Sequence, residues 1–285
     1  MDYGLLGPVT LTPYAGREAL LVAEAVQRRV PLARGGYNQI TVKVTNSSTH
    51  QATVTVTGKA PDGIAATAEP KQVVVAAGET TEFEVGVRNA SLKSGTSTLT
   101  IIASASNGLD ASTTATLMHS NNLVFNPTDT PLPRLFGAAN QDNHPHKQAV
   151  DGQPDTFWVS WGQAAGQGPS PATPVDFAVD FGASVTIGTV SLKARGAYVA
   201  TESSLPGRQS LTGSQADYGP RDFAVQASND GRNWTTITSV TDATKGSSTT
   251  TFAPVKTRYL RLHITATWDP VNRNAQIGEL VVSAS

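Results

Sequence analysis

Residues 149–161 read Ala-Val-Asp-Gly-Gln-Pro-Asp-Thr-Phe-Trp-Val-Ser-Trp and hold the densest set of groups able to do chemistry. An Asp-Gly turn leads at once to an acidic residue, a hydroxyl and paired aromatics. Asp151, the Gln153 carbonyl and Thr156 can bring several oxygens to one point, and a hard cation such as Ca²⁺ takes about six to eight oxygens. A tight turn before a strand would use the same residue types. Trp158 and Trp161 flank a short turn, so one can enter a core while the other faces a loop. Far along the chain, Glu279 follows Gly278 in an otherwise apolar strand. A carboxylate there is costly without a partner, and either a cation or an arginine would supply one.

The remaining tryptophans divide by context. Trp158 and Trp234 sit within strand motifs and are expected in the core. Trp161 and Trp268 lie beside Gly, Asp and Pro in loops, where an exposed indole points to a ligand. His144 and His146, in Asn-His-Pro-His, lack a third histidine or a carboxylate pair and read as loop histidines. Catalysis of glycosidic cleavage would ask for paired carboxylates in a cleft. Asp176, Asp180, Asp222 and Asp269 are present, but none has a partner at a recognisable spacing, and no nucleophile motif is found. The chain is therefore not expected to be an enzyme.

These groups must be positioned by a β framework. The 285 residues suffice for two domains with a core each. Charged residues are 15% of the chain, and Thr, Ser, Ala, Val and Gly fill the difference. The formal net charge of −1 gives no electrostatic case for nucleic acid or an anionic membrane. No apolar run reaches the length of a membrane span, so no membrane insertion is expected. With no cysteine, disulfides, zinc-thiolate sites and cysteine nucleophiles are excluded. The opening Met-Asp-Tyr-Gly-Leu-Leu has no basic region followed by an apolar core. It reads as the start of a piece of a larger secreted polypeptide.

From about Val9 to Met118, apolar and polar residues alternate: Ile40, Val42 and Val44 against Thr41, Lys43 and Thr45, then Phe83, Val85 and Val87 against Glu82, Glu84 and Gly86. Period-two alternation buries one face and wets the other. Turn clusters between the runs suit a sandwich of about seven strands. The segment Glu18–Arg29 has helical propensity, but lacks caps and is followed by Pro31, which favours a strand pair. No cluster of His, Asp, Glu or aromatic residues makes a site in this part, so its expected role is spacing. Residues 119–125 form a polar break, which predicts domains at 1–118 and 119–285. In the second, strands are expected at Asp176–Phe181, Thr186–Arg195, Asp222–Ser228, Trp234–Val240, Arg258–Thr265 and Gln276–Val282. Leu260, Leu262 and Ile264 should face inward, and Tyr259, Arg261 and His263 outward.

Val-Asp-Gly before Thr-Phe-Trp, Leu-Lys-Ala-Arg ending at Arg195, Ser-Asn-Asp-Gly-Arg-Asn-Trp and a terminal Glu-Leu-Val-Val occur in this order. Together they resemble the discoidin family (factor V/VIII type C domains), which includes the family 32 carbohydrate-binding modules of bacterial secreted enzymes. The resemblance covers roughly residues 120–285. It implies a discoidin-like jelly-roll β-sandwich there, while residues 1–118 separately resemble, mostly in composition, the immunoglobulin-like β-sandwich spacer domains of secreted glycosidases, so that the whole chain is expected to be all-β. It implies a structural calcium tying the Asp-Gly loop to the C-terminal strand, with Gln148, Asp151, Gln153, Thr156, Glu279 and Leu280 as ligands. It also implies a carbohydrate site at gathered loops, with Trp161, Arg195, Tyr198, Tyr218 and Trp268 as candidates. Ser160 and Trp161 stand where the galactose-binding branch has a histidine, and Tyr218 where it has an asparagine before Gly219. The segment Gly196–Gly219 would overhang this site. The function implied is non-catalytic binding of a glycan or polysaccharide. The chain would be a monomeric accessory region beside the catalytic domain of a secreted or cell-surface bacterial glycoside hydrolase or polysaccharide lyase. The alternative is an adhesion domain binding protein or lipid without sugar specificity.

Overall fold

The computed structural model describes residues 20–90, 95–128, 130–161, 168–194, 218–268 and 274–284. The first part forms two facing sheets from β1 (Leu21–Ala25), β2 (Arg29–Ala33), β3 (Tyr37–Asn46), β4 (Ala52–Lys59), β5 (Ile64–Glu69), β6 (Gln72–Val75), β7 (Thr80–Asn89), β8 (Gly95–Ala105) and β9 (Asp110–Ser120). One sheet has the order β1-β3-β7-β5 and the other β2-β9-β8-β4-β6. All pairings are antiparallel except β2 with β9. The alternation read from the sequence sets the core: Ile40, Val42, Val44, Phe83, Val85 and Val87 are fully buried. Residues 21–33 are the strand pair β1 and β2, and Gln27 between them accepts the Thr41 N–H at 2.7 Å. A helix there would leave the β3 edge without this partner.

The second part contains β10 (Arg134–Gly137), a 3₁₀ turn (His146–Ala149), β11 (Trp158–Val159), β12 (Val175–Lys193), β13 (Pro220–Ser228), β14 (Thr235–Val240), β15 (Ser247–Thr267), β16 (Gln276–Ile277) and β17 (Glu279–Ser283). Its main sheet runs β10-β12-β15-β13-β14, with β17 also on β12, while β11 and β16 form a short ribbon. The two strands expected at 176–181 and 186–195 are one strand, β12. Its pairing with β15 is interrupted between Asp180 and Val185 and then resumes, so the ribbon folds over. Leu260, Leu262 and Ile264 are buried as expected and pack with Trp158, Phe177 and Ile187. Three pieces went unread: β10, β11 and the 247–257 half of β15. The first two are too short for a period, and the third is a Ser/Thr run in which only Thr257 is buried.

Hydrogen bonds fix the entry of the chain into the second sandwich and tie that sandwich to the first. Asn122 donates to the Leu280 carbonyl at 2.9 Å, and its Oδ1 accepts from Val124 and Val282 N–H. Asn126 donates to Thr130 O, and Asn38 of β3 donates to both Pro31 O and Leu132 O at 2.8 and 3.0 Å. Arg88 of β7 donates to the Ser184 carbonyl, in the turn of β12. The N-terminal sandwich therefore sits at the 182–184 end of the C-terminal one.

Candidate functional site

The opposite end of the C-terminal sandwich gathers loops, and strand register shows which. Because β12 and β15 fold over together, both tips of each strand lie at this end: Val175 pairs with Ile264, and Lys193 with Ser247 and Glu279. Pro220 of β13 lies opposite Thr267, which brings Tyr218 beside the Trp268 turn. β11 pairs with β16, and Ser160 extends the ribbon through 2.9 and 2.8 Å bonds with Ala275, which places Trp161 beside the start of the 274–284 segment.

The Trp161 backbone N–H is held by the Ala139 carbonyl at 2.6 Å, while its side chain is 54% exposed. Tyr218 and Trp268 are half-buried. The Trp268 indole N–H is itself buried with no partner among the described residues, as are Thr267 Oγ1 and Gln276 Oε1. Thr267 and Gln276 are nearly buried, so these polar atoms are desolvated and unpaired, which folded proteins rarely tolerate without a ligand or water. The sequence reading passed over Thr267 and Gln276. Their only signal is a polar residue in a strand whose neighbours are apolar. Arg195 and Tyr198 lie outside the described residues. The described residues on either side of them, Ala194 and Tyr218, both lie at this end.

Trp158 is fully buried, its ring edge-on to Phe177 at 5.0 Å. Trp234, expected in the core, is half-buried on the outer face, with the Arg261 guanidinium 4.5 Å above its ring. It precedes β14 by one residue, and its neighbours on β13 and β15 there are the outward Gln226 and Arg261, not the inward leucines. Arg261 and His263 also grip Asp176 at 3.1 and 2.7 Å, so this outer-face network is satisfied by its own members. His144 stacks on Phe157, and His146 packs on Trp158, where burial holds its pKa below the ordinary value.

The Asp-Gly loop concentrates oxygens. The Thr156 hydroxyl lies 2.8 and 3.0 Å from the two Asp151 oxygens, 3.2 Å from Gln153 O and 3.3 Å from Gln148 O. One hydroxyl proton can satisfy only one of these acceptors. Gly152 adopts φ 72°, a region open to glycine, and its N–H reaches Glu279. Burial first, then repulsion from Asp151, pushes the Glu279 carboxyl up to about 7. No arginine pairs with it among the described residues, and Lys193 is the cation that favours its ionisation. Among the described residues no group of three or more His, Cys, Asp and Glu lies together. The donor set is two carboxylates, carbonyls and a hydroxyl, all oxygen and short of protons, which fits a hard cation. Leu280 fits least well, because its carbonyl already accepts from Asn122.

Residues 148–262 match the F5/F8 type C family model, described as a NedA-like, galactose-binding domain. The discoidin resemblance read from the sequence landmarks thus holds over this part of the chain. Solved structures similar to the chain include chitosan-binding module 1 of a chitosanase/glucanase from Paenibacillus sp. IK-5. That module is 22% identical, with 58% of this chain and 100% of the module covered and a TM-score of 0.41. A CBM32 module from Clostridium perfringens, in complex with GalNAc-β-1,3-galactose, is 17% identical over 53% of this chain and 94% of its own, with a TM-score of 0.39. A fucose-binding module of Streptococcus pneumoniae is 14% identical over 57% and 95%, with a TM-score of 0.40. No curated protein matches the chain.

Proposed function

We propose that the C-terminal sandwich is a non-catalytic carbohydrate-binding module whose glycan lies across the loop end. The observation that carries this reading is convergence. Trp161, Tyr218 and the Thr267-Trp268 turn come from separate segments, yet register brings them to one end, where an exposed indole stands beside desolvated, unpaired polar atoms. Sugars offer an apolar face of C–H groups and a rim of hydroxyls, which an indole and such polar atoms complement. The galactose-binding description of the matched family supports the ligand class. Arg195 and Tyr198 would complete the site.

A calcium ion held by Gln148, Asp151, Gln153, Thr156 and Glu279 would neutralise the Asp151–Glu279 repulsion and tie the loop to β17. Its role would be structural. The N-terminal sandwich, residues 1–118, would space the module at 119–285 from a neighbouring catalytic domain. The whole would act as a monomer within a secreted or cell-surface bacterial glycoside hydrolase or polysaccharide lyase.

The test is retention on immobilised galactosides, glucans and uronates, with indole fluorescence titration of soluble oligosaccharides. A Kd on the order of 0.1–1 mM is expected, because a shallow groove buries little ligand. Absence of retention across the panel with calcium present, or retention unchanged in Trp161→Ala, would overturn the reading.

A further inference from the structure

We propose that the outer face of the β3-β7-β5 sheet carries a second saccharide site, built around Tyr37 and Gly86. This does not rest on the reading of the loop end. Sequence alone gave residues 1–118 only a spacing role, because the groups concerned are scattered over three strands.

Register stacks them in rows. Tyr37, Arg88 and Ala65 lie side by side, then Gln39, Gly86 and Thr67, then Thr41, Glu84 and Glu69. All share the outward face, because Val85 and Val87 between them are buried. The middle row has a glycine at its centre, in the interior of a ten-residue strand. Glycine weakens a strand interior and often marks a close approach. Here the approach is by Tyr37: a β-carbon on Gly86 would come within 2.9 Å of its hydroxyl. The phenol therefore lies across the sheet and paves a trough instead of standing as a ridge. The result is a cavity of about 320 Å³, lined by Tyr37, Gln39, Thr67, Glu69, Glu84 and Arg88 among others. That is the small end of the range for ligand sites.

The lining has the chemistry of sugar recognition. Arg88 lies 5.6 Å from the Tyr37 ring centroid, beside its bond to Ser184, so the aromatic floor is braced against the C-terminal sandwich. Thr41 fixes Glu84 through a 2.8 Å bond to Oε1, and the second oxygen has no protein partner among the described residues. Glu69 lies directly opposite Glu84, and like charges in that position repel. No lysine or arginine bridges the two among the described residues. A ligand edge rich in donors, hydroxyl or ammonium, satisfies both carboxylates while the pyranose ring rests on Tyr37.

The experiment is a two-dimensional ¹H–¹⁵N titration of the whole chain with methyl β-D-glucopyranoside and, separately, with glucosamine. Saturable shifts are expected at the amides of Gln39, Thr67 and Gly86. They should vanish in Tyr37→Ala and weaken about tenfold in Glu69→Gln, an exposed side chain whose replacement leaves the fold intact. A stronger, salt-sensitive response to glucosamine would show an ammonium at the carboxylates, and equal responses a hydroxyl edge; both support the site. Shifts near Trp161 and Tyr218 report the loop end separately, so failure of one reading leaves the other standing. If neither sugar moves the three trough amides, or if their shifts survive both substitutions, the proposal is overturned.

Discussion

Where the chain passes from one sandwich to the other, Asn38, Asn122 and Asn126 are buried, and each has partners on both its oxygen and its nitrogen. At the loop end, Thr267 Oγ1, Trp268 Nε1 and Gln276 Oε1 are equally hidden and have none among the described residues. The first group is bonded within the fold, and the second has no such bonds among the described residues. A desolvated polar atom without a partner destabilises the free protein and gains more from a ligand than a solvated one would. The proposed binding at the loop end rests on this contrast. Asn38 and Arg88, bonded to the Leu132 and Ser184 carbonyls, tie the N-terminal sandwich to the C-terminal one.

The sharpest break of this contrast uses two tryptophans from one short segment. Trp158→Ala should cost about 3–5 kcal/mol in denaturant unfolding of the C-terminal sandwich, through lost burial and a cavity. Trp161→Ala should stay within about 0.5 kcal/mol and lose glycan retention. A large stability loss at Trp161 would move it from the ligand to the core.

The next comparison sets asparagine against glutamine. Asn122→Ala strands the Leu280 carbonyl and the Val282 N–H, and should cost about 3 kcal/mol. Gln276→Ala removes an oxygen that has no partner among the described residues, and should cost about 1 kcal/mol or less by the same measure. Equal costs would mean that the loop end is satisfied in solution and the contrast is lost.

Calcium sharpens the loop-end side. If the Asp151–Glu279 oxygens hold the ion, a chelator should lower the C-terminal transition and leave the N-terminal one in place. At a hundredfold excess over Kd the ion contributes about 2.7 kcal/mol. Asp151→Ala should reproduce the chelator's effect and abolish any response to added calcium. A melting curve indifferent to both would remove the ion from the account.

The smallest effect is electrostatic. The Arg221 side chain, 2.7 Å away, and then the Asp242 N–H hold the Asp222 carboxyl below its ordinary range. A depressed folded-state value contributes stability that is present above the unfolded pKa near 4 and is lost as pH falls through the folded value. Asp222→Asn should flatten that acid limb by less than about 1 kcal/mol, since the pair is partly solvated. A change at neutral pH but none in acid would contradict the sign.

Sequence by itself determined the inward faces. Period-two runs such as Ile40-Thr41-Val42 and Leu260-Arg261-Leu262 specify which side of a strand is apolar, and burial follows because water must be excluded from that side. It also determined the Asp151-Gly152 turn, because φ 72° calls for glycine and the adjacent oxygens are local to it. What only the tertiary structure decided depends on contacts distant along the chain. Trp234 and Trp158 sit in similar local patterns, yet one meets Arg261 on the outer face and the other Phe177 in the core. The polar break at 119–125 reads only as a domain boundary, and the structure adds that Asn122 bonds Leu280 and Val282, 158 and 160 residues away. The trough at Gly86 exists only because three strands come into register. Local periodicity records which side of a strand is wet, but which polar groups are satisfied is settled by partners that the chain brings together only on folding.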